Sequence, residues 1–106
     1  MSFCVVLITA PKGAEPKRLA RLLLQEKLVA CVNIVGGIDS FFWWKGRIDT
    51  ARESLLVAKT SRRLLSKLIK AVKAAHSYEV CEVIALPIAA GNSEYLRWVD
   101  RSCRKG

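Results

Sequence analysis

A chain of 106 residues is the size of one domain, because a second would need roughly 50 more. With 52% hydrophobic and 25% charged residues, six glycines and three prolines, the composition excludes a disordered or collagen-like chain and predicts a real core. Eighteen Lys and Arg against nine Asp and Glu leave a net charge of +9, which favours polyanions, acidic membrane surfaces and acidic proteins as partners without choosing among them.

No apolar run reaches the roughly 20 residues of a membrane span, and the apolar start over residues 3–8 is shorter than the core of a secretion signal. The chain is therefore expected in the cytoplasm with no membrane contact. Cys4, Cys31, Cys81 and Cys103 lie 27, 50 and 22 residues apart, without the close pairs of a zinc knuckle or a redox motif. Reduced, mostly buried thiols follow.

Taken in order, residues 3–9 form a continuous apolar run ended by Pro11 and Gly13, which predicts a strand buried on both faces. Over residues 14–28, leucines at 19, 22, 23, 24 and 28 recur with helical spacing while Lys17, Arg18, Arg21 and Gln25 take the other side, and Pro16 falls in the first turn. Residues 30–44 and 47–60 read as two long strands joined tightly at Lys45-Gly46. Gly36-Gly37 predicts a bulge rather than a phosphate loop, since no helix start follows and no third glycine has the right spacing. Leu65, Leu68, Ile69 and Val72 then predict a second helix with Ser61 as its cap. Residues 82–88 give a fourth strand, and Asn92-Ser93 opens a terminal helix carrying Leu96, Trp98 and Val99.

The resulting order, β-α-β-β-α-β plus a C-terminal helix, predicts a single α+β domain over residues 1–106, a ferredoxin-like sandwich with a long hairpin between its second and third strands. Strands of about 14 residues exceed the usual 5 or 6 and outrun what two helices cover. Their edges, and the hairpin aromatics Phe41, Phe42, Trp43 and Trp44, predict a homo-oligomer of closed symmetry.

For chemistry, His76 is the single histidine, so no Ser-His-Asp or Cys-His pair stands out and an enzyme is not expected. A divalent cation needs fewer groups: His76, Cys81 and Glu82 lie within a few residues of one another, and an N/S site favours copper, Cu(2+). The plainer account puts His76 at a helix C-terminus and makes Cys81 a small buried hydrophobe. RNA recognition motifs share the element order, but residues 54–60 of the third strand contain no aromatic for base stacking, so nucleic acid has only the net charge in its favour and is not an expected partner.

Several segments occur together: Thr9-Ala10-Pro11; Glu26-Lys27-Leu28-Val29-Ala30-Cys31-Val32-Asn33; Ser40 with Trp43-Trp44-Lys45-Gly46-Arg47-Ile48; His76-Ser77-Tyr78-Glu79-Val80; Glu82-Val83-Ile84-Ala85-Leu86-Pro87-Ile88; and Gly91-Asn92-Ser93-Glu94-Tyr95-Leu96-Arg97-Trp98. In this order the chain resembles the CutA family of divalent-cation-tolerance proteins over nearly its whole length. The resemblance implies a homotrimer related in architecture to the PII signalling proteins, a role in tolerance to copper and other divalent cations, and no established reaction or required cofactor. Some members bind copper through a cysteine before the Thr-Ala-Pro segment and through adjacent histidines before the Tyr-Glu segment. Here those positions are Ile8 and Ala75-His76, so one imidazole is left. Members also carry prolines where Gly36, Ser77 and Cys81 stand. The expected metal donor is then the His76 imidazole, with Cys81, Glu82 or a neighbouring subunit's side chain completing the shell. The alternative is a PII-like module that takes a small anion or a protein partner in its inter-subunit clefts.

Overall fold

The computed structural model of the chain describes residues 1–105. Strand β1 (Phe3–Pro11) leads into helix α1 (Glu15–Gln25), then strands β2 (Cys31–Trp44) and β3 (Arg47–Ser61), helix α2 (Leu65–Ala75), strand β4 (Val83–Pro87) and helix α3 (Ser93–Ser102). The strands pair antiparallel in the order β2-β3-β1-β4. This is the ferredoxin-like arrangement expected from the element order.

Strand alternation decides the core. Val6, Ile8 and Ala10 of β1 and Leu56 and Ala58 of β3 point one way and are buried under Leu19 and Leu23 of α1, Leu68 and Val72 of α2, and Val99 of α3. Thr60 enters the same layer because its hydroxyl donates to the Leu28 carbonyl at 2.6 Å, which satisfies the buried oxygen. The opposite face, with Val5, Leu7, Val57, Ile84 and Leu86, has no helix over it and is half-buried or exposed. The expected burial of the first strand on both faces therefore holds on one side only, because all three helices pack on the other.

Two helix boundaries differ from the expectation. Helix α1 stops at Gln25 instead of Leu28: Lys27 takes a left-handed conformation (φ 59°), and the Leu28 and Lys27 N–H groups bond back to the carbonyls of Leu23 and Leu24. This Schellman closure turns Leu28 into the core. Ser61 does not cap the second helix. It ends β3, makes no capping bond through its side chain, and is separated from α2 by a 3-10 turn over Arg62–Leu64. In α3 the expected cap is present, with the Asn92 side chain accepting the Glu94 N–H at 3.0 Å.

The glycine pair is a bulge, as expected. Val35 faces Leu55 and Ile38 faces Glu53, so Gly36 and Gly37 together oppose the single residue Ser54. The extra residue reverses the alternation of β2. Before it, Val32 and Ile34 lie on the helical side; after it, Ser40, Phe42 and Trp44 lie on the uncovered side, opposite Ala51, Asp49 and Arg47. The hairpin then closes through Lys45 and Gly46, both at positive φ, the geometry of a two-residue type I′ turn. Pairing between β1 and β3 ends at Pro11 and Glu53, so residues 47–52 have only β2 beside them and no helix above them. Phe41 (74% exposed) and Trp43 (73%) project from the helical side of this overhang.

Gly37 sits at φ 69°, a conformation that β-branched residues resist, whereas Gly36 has ordinary backbone and room for a Cβ. Gly37→Val should lower the unfolding free energy by about 1–2 kcal/mol and Gly36→Ala by much less, measured as denaturation midpoints of the two variants.

Candidate functional site

The segment between α2 and β4 is pinned from beneath by His76. Its imidazole is fully buried; Nε2 lies 2.7 Å from the Thr9 carbonyl oxygen, and Nδ1 lies 3.0 Å from the Tyr78 N–H and 3.4 Å from Glu15 Oε2. A carbonyl only accepts, so Nε2 donates, and Nδ1 uses its lone pair to accept from Tyr78. The network thus assigns the neutral Nε2–H tautomer, with both nitrogens engaged. Glu15 accepts the Ser77 N–H at 2.9 Å and lies 3.8 Å from Arg18, whose guanidinium also donates to the Ala75 carbonyl and ties α1 to the end of α2. Burial pushes the Glu15 carboxyl up, but hydrogen bonds from the Ser77 backbone and side chain, then the nearby His76 ring and the Arg18 charge, outweigh it and hold the carboxyl below its ordinary value.

Above this pin, residues 77–82 and the base of the hairpin enclose a cleft of about 890 Å³. Its floor is the uncovered sheet face: Thr9, Ser40, Phe42, Trp44, Asp49, Ala51 and Glu53. Its other wall is Ser77 to Glu82. Glu53, only 5% exposed, accepts a 2.8 Å hydrogen bond from the Tyr78 hydroxyl, which joins the two walls. Burial, that hydrogen bond and the Glu53 and Glu15 charges push the Tyr78 phenol up to about 12.

The lining has one sign of charge. Asp49, Glu53, Glu79 and Glu82 contribute four carboxylates, and among the described residues no Lys or Arg lines it. In a chain of net charge +9 this is a local inversion, and a partly walled acidic cleft concentrates cations.

Of the residues expected to hold a metal, Cys81 and Glu82 line the cleft, Cys81 half-buried and Glu82 exposed. His76 does not line it; it lies behind the segment with both nitrogens occupied, so ligation would have to break a bond to Thr9 or Tyr78. Among the described residues, no three His, Cys, Asp or Glu side chains come together as a metal-holding group, so the expected His76, Cys81, Glu82 centre does not form within one protomer. Ile8 is sealed in the core and Ala75 ends α2; neither carries a donor atom. Tyr78 and Glu53 were missing from the expected set. The one sequence signal for them was a carboxylate next to an otherwise apolar strand run.

A four-stranded antiparallel sheet with helices on one face and an overlong β2–β3 hairpin defines a ferredoxin-like α+β protein with a carboxylate-lined cleft. Residues 4–102 match the model of the CutA1 divalent ion tolerance protein family. The chain is 52% identical over 101 residues to a chloroplastic CutA 1 protein of Oryza sativa, covering 95% of this chain and 57% of that one. It is 47% identical over 95 residues to the divalent-cation tolerance protein CutA of Thermus thermophilus, covering 90% and 92%. The chain thus spans little more than half the length of the plant relatives it matches. Among solved structures, CutA1 of Oryza sativa superposes with a TM-score of 0.95 at 49% identity over 100% of this chain and 97% of that one. CutA1 of Thermus thermophilus gives 0.92 at 45% identity over 94% and 97%. The chain belongs to the CutA1 divalent ion tolerance family.

The two tyrosines offer a direct check. Tyr95, hydrogen-bonded to Cys31 and partly buried, is pushed up to about 12 like Tyr78. An ultraviolet titration at pH 10 should show almost no tyrosinate in the native protein and about half of the tyrosines ionised after unfolding at that pH. Because both phenols are raised, their contribution to stability is present below pH 10 and is lost as pH rises toward 12. Glu15 has the opposite sign: its contribution is present above the ordinary 4.5 and is lost as pH falls through its depressed value. Acid unfolding of Glu15→Gln should accordingly be less steep than that of the wild type. Removing the imidazole in His76→Ala leaves the Thr9 carbonyl and Tyr78 N–H without partners and should cost about 2 kcal/mol in denaturation.

Proposed function

We propose that this protein acts in tolerance of divalent cations as a cytoplasmic homotrimer that binds the metal ion, copper among others, rather than catalysing a reaction. The carboxylate-lined cleft carries the proposal. Glu82 and Cys81 are the donors this chain offers there, with Asp49 and Glu79 adding negative potential, and a neighbouring subunit completes a shell that one protomer leaves short. A thiolate and carboxylates together favour Cu(2+) among divalent ions. His76 serves by holding the Ser77 to Glu82 wall in place. The uncovered apolar sheet face and the hairpin aromatics supply the contact surface for assembly. The four free cysteines suit a reducing compartment. Relatives are described as chloroplastic in Oryza sativa and as periplasmic in Archaeoglobus fulgidus, so compartment varies within the family. A small anion in the same cleft would meet four carboxylates and no cation, which counts against the PII-like alternative at that place.

Calorimetric titration with Cu(2+) tests the metal site. Cys81→Ser combined with Glu82→Gln should weaken binding by about tenfold or more, while Lys70→Gln on the opposite side of the sheet should leave it unchanged. Equal affinity in wild type and the double variant would remove the cleft from metal binding.

A further inference from the structure

The positive charge is segregated. Fourteen of the eighteen Lys and Arg, but only four of the nine Asp and Glu, lie in the three helices and their flanking turns, residues 12–30, 62–75 and 88–105. The strands, the hairpin and residues 76–82 hold four basic and five acidic residues. The entire net charge therefore resides in the helical layer, on the face away from the cleft.

Within that layer the charge forms rows. Residues 62–75 contain no acidic residue, and Arg63, Lys67, Lys70 and Lys73 are all exposed. Arg63 lies in the 3-10 turn before α2, and Lys67, Lys70 and Lys73 follow within the helix, rising about 9 Å along its axis at 1.5 Å per residue. Helix α1 runs antiparallel beside α2 and presents exposed Lys17 and Arg21. Among the described residues, none of these six side chains is ion-paired: Glu15 is engaged by Arg18, His76 and Ser77, Asp100 by Arg104, and Glu26, which lines a groove with Arg63 and Lys67, makes no ion pair with either. An ordinary solvated surface intersperses both signs. This one does not.

We propose that the outer face formed by helices α1 and α2 binds the phosphate backbone of duplex nucleic acid without regard to sequence. A protein partner fits less well, because interfaces of that kind centre on an apolar, charge-depleted core, and the large apolar residues exposed on α1 and α2 are Leu24 and Ile69, each more than half covered (40% and 38% exposed). The same lack of protruding apolar side chains leaves nothing to insert into a bilayer. Single strands are disfavoured by the absence of an aromatic platform on α1 and α2. A band of cations spread over two antiparallel helices can meet several phosphates of a duplex at once.

The test uses the full-length protein as purified, with a fluorescent duplex of arbitrary sequence of about 20 base pairs. Anisotropy should show saturable binding at 50 mM salt that weakens linearly in log–log form toward 200 mM. Charge reversal of Lys67, Lys70 and Lys73 to Glu should lower affinity at least tenfold and flatten the salt slope by about 0.9 for each phosphate no longer neutralised. Because three substitutions on one helix can disturb folding, Lys67→Gln with Lys70→Gln provides a gentler second variant, expected to lose affinity in part while keeping the wild-type circular dichroism. Arg47→Gln on the hairpin should bind as wild type. No binding at 50 mM salt, equal affinity in the α2 variants, or binding to phosphatidylserine vesicles in preference to the duplex would each overturn the proposal.

Discussion

Two paired strands longer than anything that covers them constrain the rest of this molecule. Helices α1 and α2 are 11 residues each, while β2 and β3 are 14 and 15. The core can close only over the part of the sheet that β1 shares, and the remainder projects as a two-stranded ribbon, a structure marginal by itself in water. The projection gives the protomer its extents of 44 × 26 × 23 Å. On the free ribbon Phe41 and Trp43 forfeit most of the burial that makes aromatics stabilising, on the order of 1–3 kcal/mol each. Packing copies of the chain against one another would recover it, and the uncovered sheet face continues the same apolar surface.

The bulge converts this ribbon into part of a site. By placing two glycines opposite Ser54 it sets Phe42 and Trp44 on the side where Asp49 and Glu53 point, and leaves Phe41 and Trp43 on the other. All four aromatics border the cleft, and Phe41 and Trp43 are the more exposed pair. The cleft's second wall depends on His76, whose two hydrogen bonds fix the backbone at Thr9 and Tyr78, so that Tyr78 can reach Glu53 across the gap. The molecule ends with opposite charge on its two sides, carboxylates between ribbon and loop and cations over the helices.

Much of the fold was legible in the sequence because its signals are local. The leucine spacing of α1, the Gly36-Gly37 break, Lys45-Gly46 and the Asn92 cap each report backbone conformation directly. The errors arose where tertiary context decides. Apolar residues on both sides of β1 suggested two-sided burial, but which side the helices cover is a property of the whole chain. Ser61 has the chemistry of a cap, yet its strand register keeps it in β3. The site was harder to read. His76, Cys81 and Glu82 are close in sequence, but a sharp turn after α2 sends His76 inward and Glu82 outward. The Tyr78 to Glu53 bond joins residues 25 apart, and no spacing rule anticipates it.

The self-association demanded by the ribbon is tested most directly by sedimentation equilibrium at micromolar concentration. The account predicts a single species of about three times the 11.8 kDa chain mass, unchanged on tenfold dilution. A folded monomer of 11.8 kDa under the same conditions would contradict it.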